Sequence, residues 1–511
     1  MPARISIRAY DDIEALLIAG YKIHLNHKMR LGQTSIIYFL SKIVASFTGF
    51  ISTIYFARLL GADPLGIYYL VIGVVSWVAI AGKIGISGAV IKRVSEGEEQ
   101  ERYAVAGISF IALLFVVLSI SLLILQPYVN DYFGHPVTGY VVLILLVTLM
   151  WSIVTSLLSG LHLVHLKGVL SPVKMGGQSL LQIGAVAAGL GLTGLFLGYI
   201  VGLVLTIFIG GAFVFRRLSS FQLPETHHYR SLFDYAKFSW LGNLESRMFN
   251  YTDVIVLGFF VPSALIGVYS IAWNIAMFLI LFSSSISNTL FPEMSEQSAK
   301  DDPQSVANLL EDALSYAGLL LIPGLVGGML LGERILRIYG DEFTQGAVVL
   351  SILIVAALIR AYQKQLLTTL NAIDRPALAF RANALFVVIN LLLNIVLIYL
   401  YGWLGAAVAT ALSVGISFVV ADYYLSSIIT FTVPYSEIAR QWLGAITMGV
   451  VVYGTLQLEN DYSLLGHNVA TVVLLVGLGA SVYFLFLLAI STQFRQTVDR
   501  NLPVHIPFLS R

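Results

Sequence analysis

A few side chains inside long apolar runs can carry charge or exchange protons. Lys42, Lys83 and Arg247 each fall within such a run. At about 1.5 Å per helical residue, each lies roughly 10 to 15 Å in from the same, Lys/Arg-rich end. An ionisable group at that depth costs roughly 2.5 to 3.5 kcal/mol on insertion scales, so it faces a cavity or a partner. Cations lining a cavity are suited to an anion, since Lys and Arg are the complement of phosphate oxygens. The competing reading is snorkelling, in which a long side chain carries its head back to the interface. Arg360 and Lys364 share a face at i,i+4 spacing and extend the cationic set. Both approach the end of their run, where snorkelling is the stronger reading.

The acidic and amide residues follow a similar pattern. At 100° per residue, Asn243, Ser246, Arg247, Asn250 and Asp253 fall within an arc of roughly 120°, so one face of that helix is polar over most of its length. Asp253 lies about two turns beyond Arg247, too far for a simple pair. It needs a partner on another helix or binds a coupling cation, H+ or Na+. Glu245 points away from the arc, and a carboxylate at low dielectric suits either proton coupling or an ion pair between helices. Asn383, Asn390 and Asn394 form a second one-sided stripe, fit for helix packing or for sugar hydroxyls. Pro323-Gly324 should weaken or kink its helix.

The elements that position these residues are membrane helices. The chain has 511 residues, of which 58% are hydrophobic and 11% charged. Mean hydropathy is +0.86. Soluble domains average about 25% charged residues, so this is an all-α integral membrane protein. Net charge is +1, which gives no pull towards nucleic acid, and there is no Cys for a disulfide, thiolate ligand or thiol nucleophile. Metal ligands do not cluster in sequence, and His162, His165, His227 and His228 read as interfacial. The N-terminus lacks a cleavable signal pattern, so the first span serves as its own insertion signal. Residues 1–28 read either as an interfacial amphipathic helix or as sequence upstream of a start at Met29.

Runs of about 20 apolar residues give fourteen spans: 33–57, 65–91, 104–125, 139–160, 170–191, 195–215, 237–260, 265–291, 309–332, 346–369, 378–400, 404–427, 440–458 and 467–489. With both termini cytoplasmic, the inner segments collect most of the Lys and Arg, while the outer loops hold Arg58, Arg334 and Arg337. Outer connections such as Gln126 to Thr138 and Glu333 to Gln345 are too short for a folded domain.

The sequence also repeats itself. FARLLGADPLGIYYLV (Phe56 to Val71) returns as FFVPSALIGVYSIAW (Phe259 to Trp273), which places Gly66 on Gly267. Leu192 to Ile209 likewise matches Tyr401 to Val420. The first two spans therefore pair with the seventh and eighth, and the sixth with the twelfth. Six intervening spans is an even number, so both halves enter the membrane in the same direction. The result is two parallel-related six-helix lobes plus two C-terminal helices, an arrangement in which secondary transporters hold substrate between the halves. The expected divisions are an N-terminal segment (1–30), a first lobe (31–216), a linker (217–236), a second lobe (237–427), two further spans (428–490) and a tail (491–511).

Three stretches resemble a known family. Phe56 to Gly61 followed by Pro64 to Tyr68 resembles the first-hairpin signature of the polysaccharide biosynthesis, or oligosaccharide flippase, family of the multidrug/oligosaccharidyl-lipid/polysaccharide exporter superfamily. Asp253 to Gly258 running into Gly267 to Ala272 is similar to its seventh-span hallmark, and Gly402 to Thr410 to the start of its twelfth. The resemblance spans about residues 30–490. It implies a plasma-membrane transporter, not an enzyme, that moves an isoprenoid-linked oligosaccharide to the outer leaflet by alternating access. It implies no resident cofactor beyond a coupling ion, and a monomer with or without glycan-assembly partners. Lys42, Lys83 and Arg247 would then meet the lipid diphosphate. The alternatives are a cation-coupled multidrug exporter on the same fold, which would favour an anionic cavity, and a membrane glycosyltransferase or glycan polymerase, which would need an outer catalytic domain.

Overall fold

The computed structural model describes residues 48–83, 85–218, 222–239, 244–462 and 466–501. Lys42 and Asn243 lie outside the described residues. Glu245 and Arg247 lie on a described helix, but their side chains are outside the described set.

Among the described residues, nine helical stretches are long and apolar enough to cross a membrane, and Thr48–Leu60 is a shorter apolar helix. The first lobe runs α1 (Thr48–Leu60), α2 (Ala62–Lys83), α3 (Ile86–Ser95), α4 (Gln100–Ile124), α5 (Gln126–Phe133), α6 (Thr138–Gly160), α7 (Val164–Ala187) and α8 (Gly191–Arg217). A linker helix, α9 (Thr226–Ser239), leads to α10 (Leu244–Leu257), α11 (Ser263–Ala299), α12 (Pro303–Ala317), α13 (Leu321–Arg337), α14 (Ala347–Ala372) and α15 (Pro376–Ser426). Last come α16 (Tyr435–Tyr462), α17 (Asn468–Ile490) and the polar α18 (Thr492–Asn501).

Fourteen crossings fit this series because several elements share or split a crossing. At Gly402 the backbone turns to φ 59 and ψ −140, which folds the 51-residue α15 into two passes. Such a conformation suits glycine, which has no Cβ to clash. The second crossing is divided at Gly85 (φ 76) into α2 and α3, whereas its repeat partner α11 continues for 37 residues. The ninth is divided at 318–320, between α12 and α13. Pro323 therefore stands in the first turn of α13, where its missing N–H would have had no helical partner anyway. The expected mid-helix kink is thus a helix boundary. The low hydropathy of α7 follows from Lys167, Lys174, Gln178 and Gln182, and the two glutamines are buried against α8. Gln182 Nε2 donates to the Leu195 carbonyl at 2.9 Å and to Tyr68 Oη at 3.0 Å.

The lobes meet where α2 crosses α11, at Gly66 and Gly267. Arg58 donates to the carbonyls of Ile338 at 2.7 Å and Arg337 at 2.8 Å, and Glu342 accepts the Ala62 N–H at 2.9 Å. Each contact satisfies a helix end of the opposite lobe. Both belong to the face poor in Lys and Arg. The two C-terminal helices pack on α13.

Candidate functional site: a cationic cavity and a buried carboxylate

A cavity of about 320 Å³ lies where α2, α6, α7 and α8 of the first lobe meet Tyr251 of α10. Lys83, the last residue of α2, lines it two positions before Gly85, and Lys174 lines it from α7. The Lys174 ammonium stands 5.7 Å from the centroid of the Trp151 ring, within cation–π range. The remaining wall is rich in hydroxyls, from Ser76, Thr148, Ser152 and Thr155. Thr148 Oγ1 is buried without a hydrogen-bond partner among the described residues. Two ammonium groups among hydroxyl donors make a wall suited to an anion with several oxygens.

The second lobe holds a different arrangement. Asp253 of α10 is buried, with 4% of its surface exposed. Asn394 Nδ2 donates to its Oδ1 at 2.8 Å, Thr410 Oγ1 donates to its Oδ2 at 2.6 Å, and the Tyr269 hydroxyl also donates to Oδ2. Asn390 stands behind, its Nδ2 3.4 Å from Thr410 Oγ1 and its carbonyl accepting from Asn394 at 2.9 Å. The side-chain oxygens of Asn390 and Asn394 are buried with no partner among the described residues. The Asp253 carboxyl group and the two unmatched side-chain carbonyl oxygens together make an oxygen-rich set of a kind that suits a hard cation. The donors come from α11 and both passes of α15, so the acid is held at the meeting point of three helices.

Arg360 is half-buried among aromatic side chains of the second lobe. Its guanidinium sits 4.6 Å from the Phe249 ring centroid and 5.8 Å from that of Phe386, and it donates to Gln363 Oε1 at 2.9 Å. Lys364, one turn on, is half-buried, and Asn250 is exposed. Asn383 is half-buried with an unmatched Oδ1. The structure thus brings Asp253, Asn390 and Asn394 into one site and puts Lys83 in the cavity wall.

The polysaccharide biosynthesis protein profile matches residues 31–298, more than half of the chain. The chain belongs to that family. A MatE profile also matches, at 240–399, consistent with the wider multidrug/oligosaccharidyl-lipid/polysaccharide exporter superfamily. Similarity to curated relatives runs nearly end to end. The "Probable flippase AglR" of Haloferax volcanii is 33% identical over 479 residues, covering 93% of this chain and 98% of the relative. The "Probable low-salt glycan biosynthesis flippase Agl15" of the same organism is 30% identical, covering 86% and 92%. Among solved structures, "Lipid II flippase MurJ, inward closed conformation" superposes with a TM-score of 0.74 at 18% identity, over 91% of this chain and 99% of that one. An inward-facing MATE family multidrug transporter does so with a TM-score of 0.60 at 13% identity, over 75% and 95%. At those identities the two structures establish the fold.

For this member of the polysaccharide biosynthesis family, sequence reasoning missed Lys174, Trp151, Tyr269 and Thr410. Lys174 is one of many Lys and Arg at the basic end, and in sequence such a charge marks orientation alone. Tyr269 and Thr410 stood inside the GVYSIA and GAAVAT stretches, but an isolated Tyr or Thr in an apolar run carries no signal of its own. The signal was the polar stripe opposite them, whose Asp253 required donors.

Proposed function

We propose that this chain is a non-enzymatic flippase that carries an isoprenoid phosphate- or diphosphate-linked oligosaccharide across the plasma membrane for glycan assembly. The observation that carries the reading is the first-lobe cavity, faced by Tyr251 of the second lobe, that bears Lys83 and Lys174 among hydroxyl donors. The lipid phosphate would sit against the two ammonium groups, and the glycan would extend among hydroxyl and aromatic side chains. Family membership and the two flippase relatives support the same substrate class. A drug exporter for organic cations would call for acidic walls, which this cavity lacks among its described lining.

In this reading the basic face is cytoplasmic, both termini lie there, and the protein acts as a monomer. The α2–α11 crossing keeps the outer side shut while the cavity loads from the cytoplasm. Asp253 would couple the cycle to a cation. A proton needs one acceptor, whereas Na+ needs several oxygens, and the unmatched Asn390 and Asn394 carbonyls favour Na+.

A glycan-export complementation assay tests the proposal. Lys83→Ala and Lys174→Ala should each weaken phosphate binding by roughly 10- to 150-fold, matching a charge-assisted contact of about 1.5 to 3 kcal/mol. The Arg variants should keep part of the activity. Normal export by both Ala variants at normal membrane levels would remove the cavity as the substrate site.

A further inference from the structure

Away from the cavity, on the basic face, the turn between α3 and α4 meets the linker between the lobes. Glu99 sits at the N-terminus of α4 with a left-handed backbone, φ 49. His227 and His228 occupy the first turn of α9. Both imidazoles aim Nε2 at one carboxylate oxygen: His228 Nε2 is 3.1 Å and His227 Nε2 3.5 Å from Glu99 Oε2. The three ligand atoms all lie within 4.8 Å of one another. Tetrahedral zinc, with ligands at about 2.0 to 2.2 Å, sets its ligand atoms about 3.3 to 3.5 Å apart. The two measured separations already approximate such edges.

The surroundings also fit a metal. His228 is fully buried, and its ring packs edge-on against Tyr103 at 4.8 Å. Its Nδ1 accepts the Glu225 backbone N–H at 3.1 Å and lies 3.3 Å from the Glu225 carbonyl oxygen. Binding a metal through Nε2 would move the ring proton to Nδ1, which would exchange the contact with the Glu225 N–H for a bond to the Glu225 carbonyl, the partner that histidine ligands commonly use to fix the ring. Arg102 holds Glu99 by its other oxygen, Oε1, at 2.8 Å and reaches Glu225 Oε1 at 3.1 Å, which leaves Oε2 to the histidines. The two rings are 3.8 Å apart between centroids, so two imidazolium charges would repel there, whereas one divalent cation satisfies both nitrogens and the carboxylate. The donor set of two imidazoles and a carboxylate, with an open fourth position for water, is one that Zn²⁺ accepts.

We propose that Glu99, His227 and His228 form a Zn²⁺ site that clasps the inter-lobe linker to the first lobe. Because α9 leads into α10, which carries Asp253, the metal would stiffen the segment about which the lobes move.

The test is metal binding to the purified full-length protein, freed of affinity tag and stripped with a chelator. Calorimetric titration with ZnCl₂ should give one site per chain, and Co²⁺ should give the visible absorption of a tetrahedral centre. Glu99→Gln should weaken Zn²⁺ binding at least about 10-fold. His227→Ala, at a position where 55% of the side chain is exposed, should abolish binding and still melt like the metal-free wild type. Wild-type protein that binds no Zn²⁺, or that binds it no better than His227→Ala and Glu99→Gln, would overturn the site. Because the readout is metal occupancy, the result is independent of the transport reading.

Discussion

Gly66 and Gly267 are equivalent residues of the two halves, and they touch. A methyl group on Gly66 would stand 1.7 Å from the Ser263 carbonyl oxygen, and one on Gly267 would stand 2.1 Å from the Ala62 carbonyl oxygen. Ala62 and Ser263 are separated by 201 positions, as are Gly66 and Gly267. Each glycine therefore rests on the counterpart of the residue that rests on its partner, as a two-fold axis requires. The pseudo-symmetry axis passes through the closed seam.

That seam should not tolerate a side chain. Gly66→Ala or Gly267→Ala should destabilise the closed state by about 1 to 3 kcal/mol, the usual range for overpacking, or roughly 5- to 150-fold in population. The chain has no cysteine, so a single Cys at Ser76 in the cavity wall reports access. It should resist an outside impermeant thiol reagent in the wild-type background and react in the Ala variants. Gly327→Ala, with nothing within 4 Å of the added methyl, is the neutral control. Equal labelling in all backgrounds would show that the seam is not the outer seal.

The exposed contacts beside the seam should act more weakly and in concert. Arg58 and Glu342 each bind a backbone end of the opposite lobe, so Arg58→Ala and Glu342→Gln should each shift the same labelling by about 0.5 to 1.5 kcal/mol. The two contacts stand one helical turn apart on either side of the seam, so the double variant should show a coupling rather than the simple sum of the single effects. No shift in either variant would reduce these contacts to surface decoration.

Asp253 should be the ion-sensing residue. Na+ should raise the melting temperature of wild-type protein more than K+ at equal ionic strength, as a ligand of the folded state does. In Asp253→Asn the difference should vanish, while the amide preserves the size of the buried side chain. Thr410→Val should reduce the Na+ effect. An undiminished Na+ effect in Asp253→Asn would place the coupling ion elsewhere.

Orientation is open to direct measurement. Single cysteines at Asp131 and Asp461 should react with impermeant reagent from outside intact cells, and ones at Gly97 and Gln297 should react after permeabilisation. The reverse pattern would turn the basic face outward and with it the proposed direction of loading.

The sequence by itself determined what the bilayer enforces. Apolar length fixes spans because an unpaired backbone cannot sit in hydrocarbon. The 201-residue offset disclosed the repeat, since glycine is the residue that permits helices to close on backbone. The same pattern marked Lys83 as a charge within an apolar run and aligned Asp253 on a polar stripe. Which helix faces which was left to tertiary structure. Asp253 acquired donors from Tyr269, Asn394 and Thr410, which lie 16, 141 and 157 positions away, and no helical period relates such distant residues. Lys174 became a cavity residue because α7 packs beside α6, bringing Trp151 beneath its ammonium. His227 and His228 found Glu99 129 positions away from the second of them, across a linker whose path the sequence does not encode. Burial and periodicity are local properties that a chain displays along its length. The convergence of charges from separate helices arises when packing fixes the rotation of each helix about its own axis.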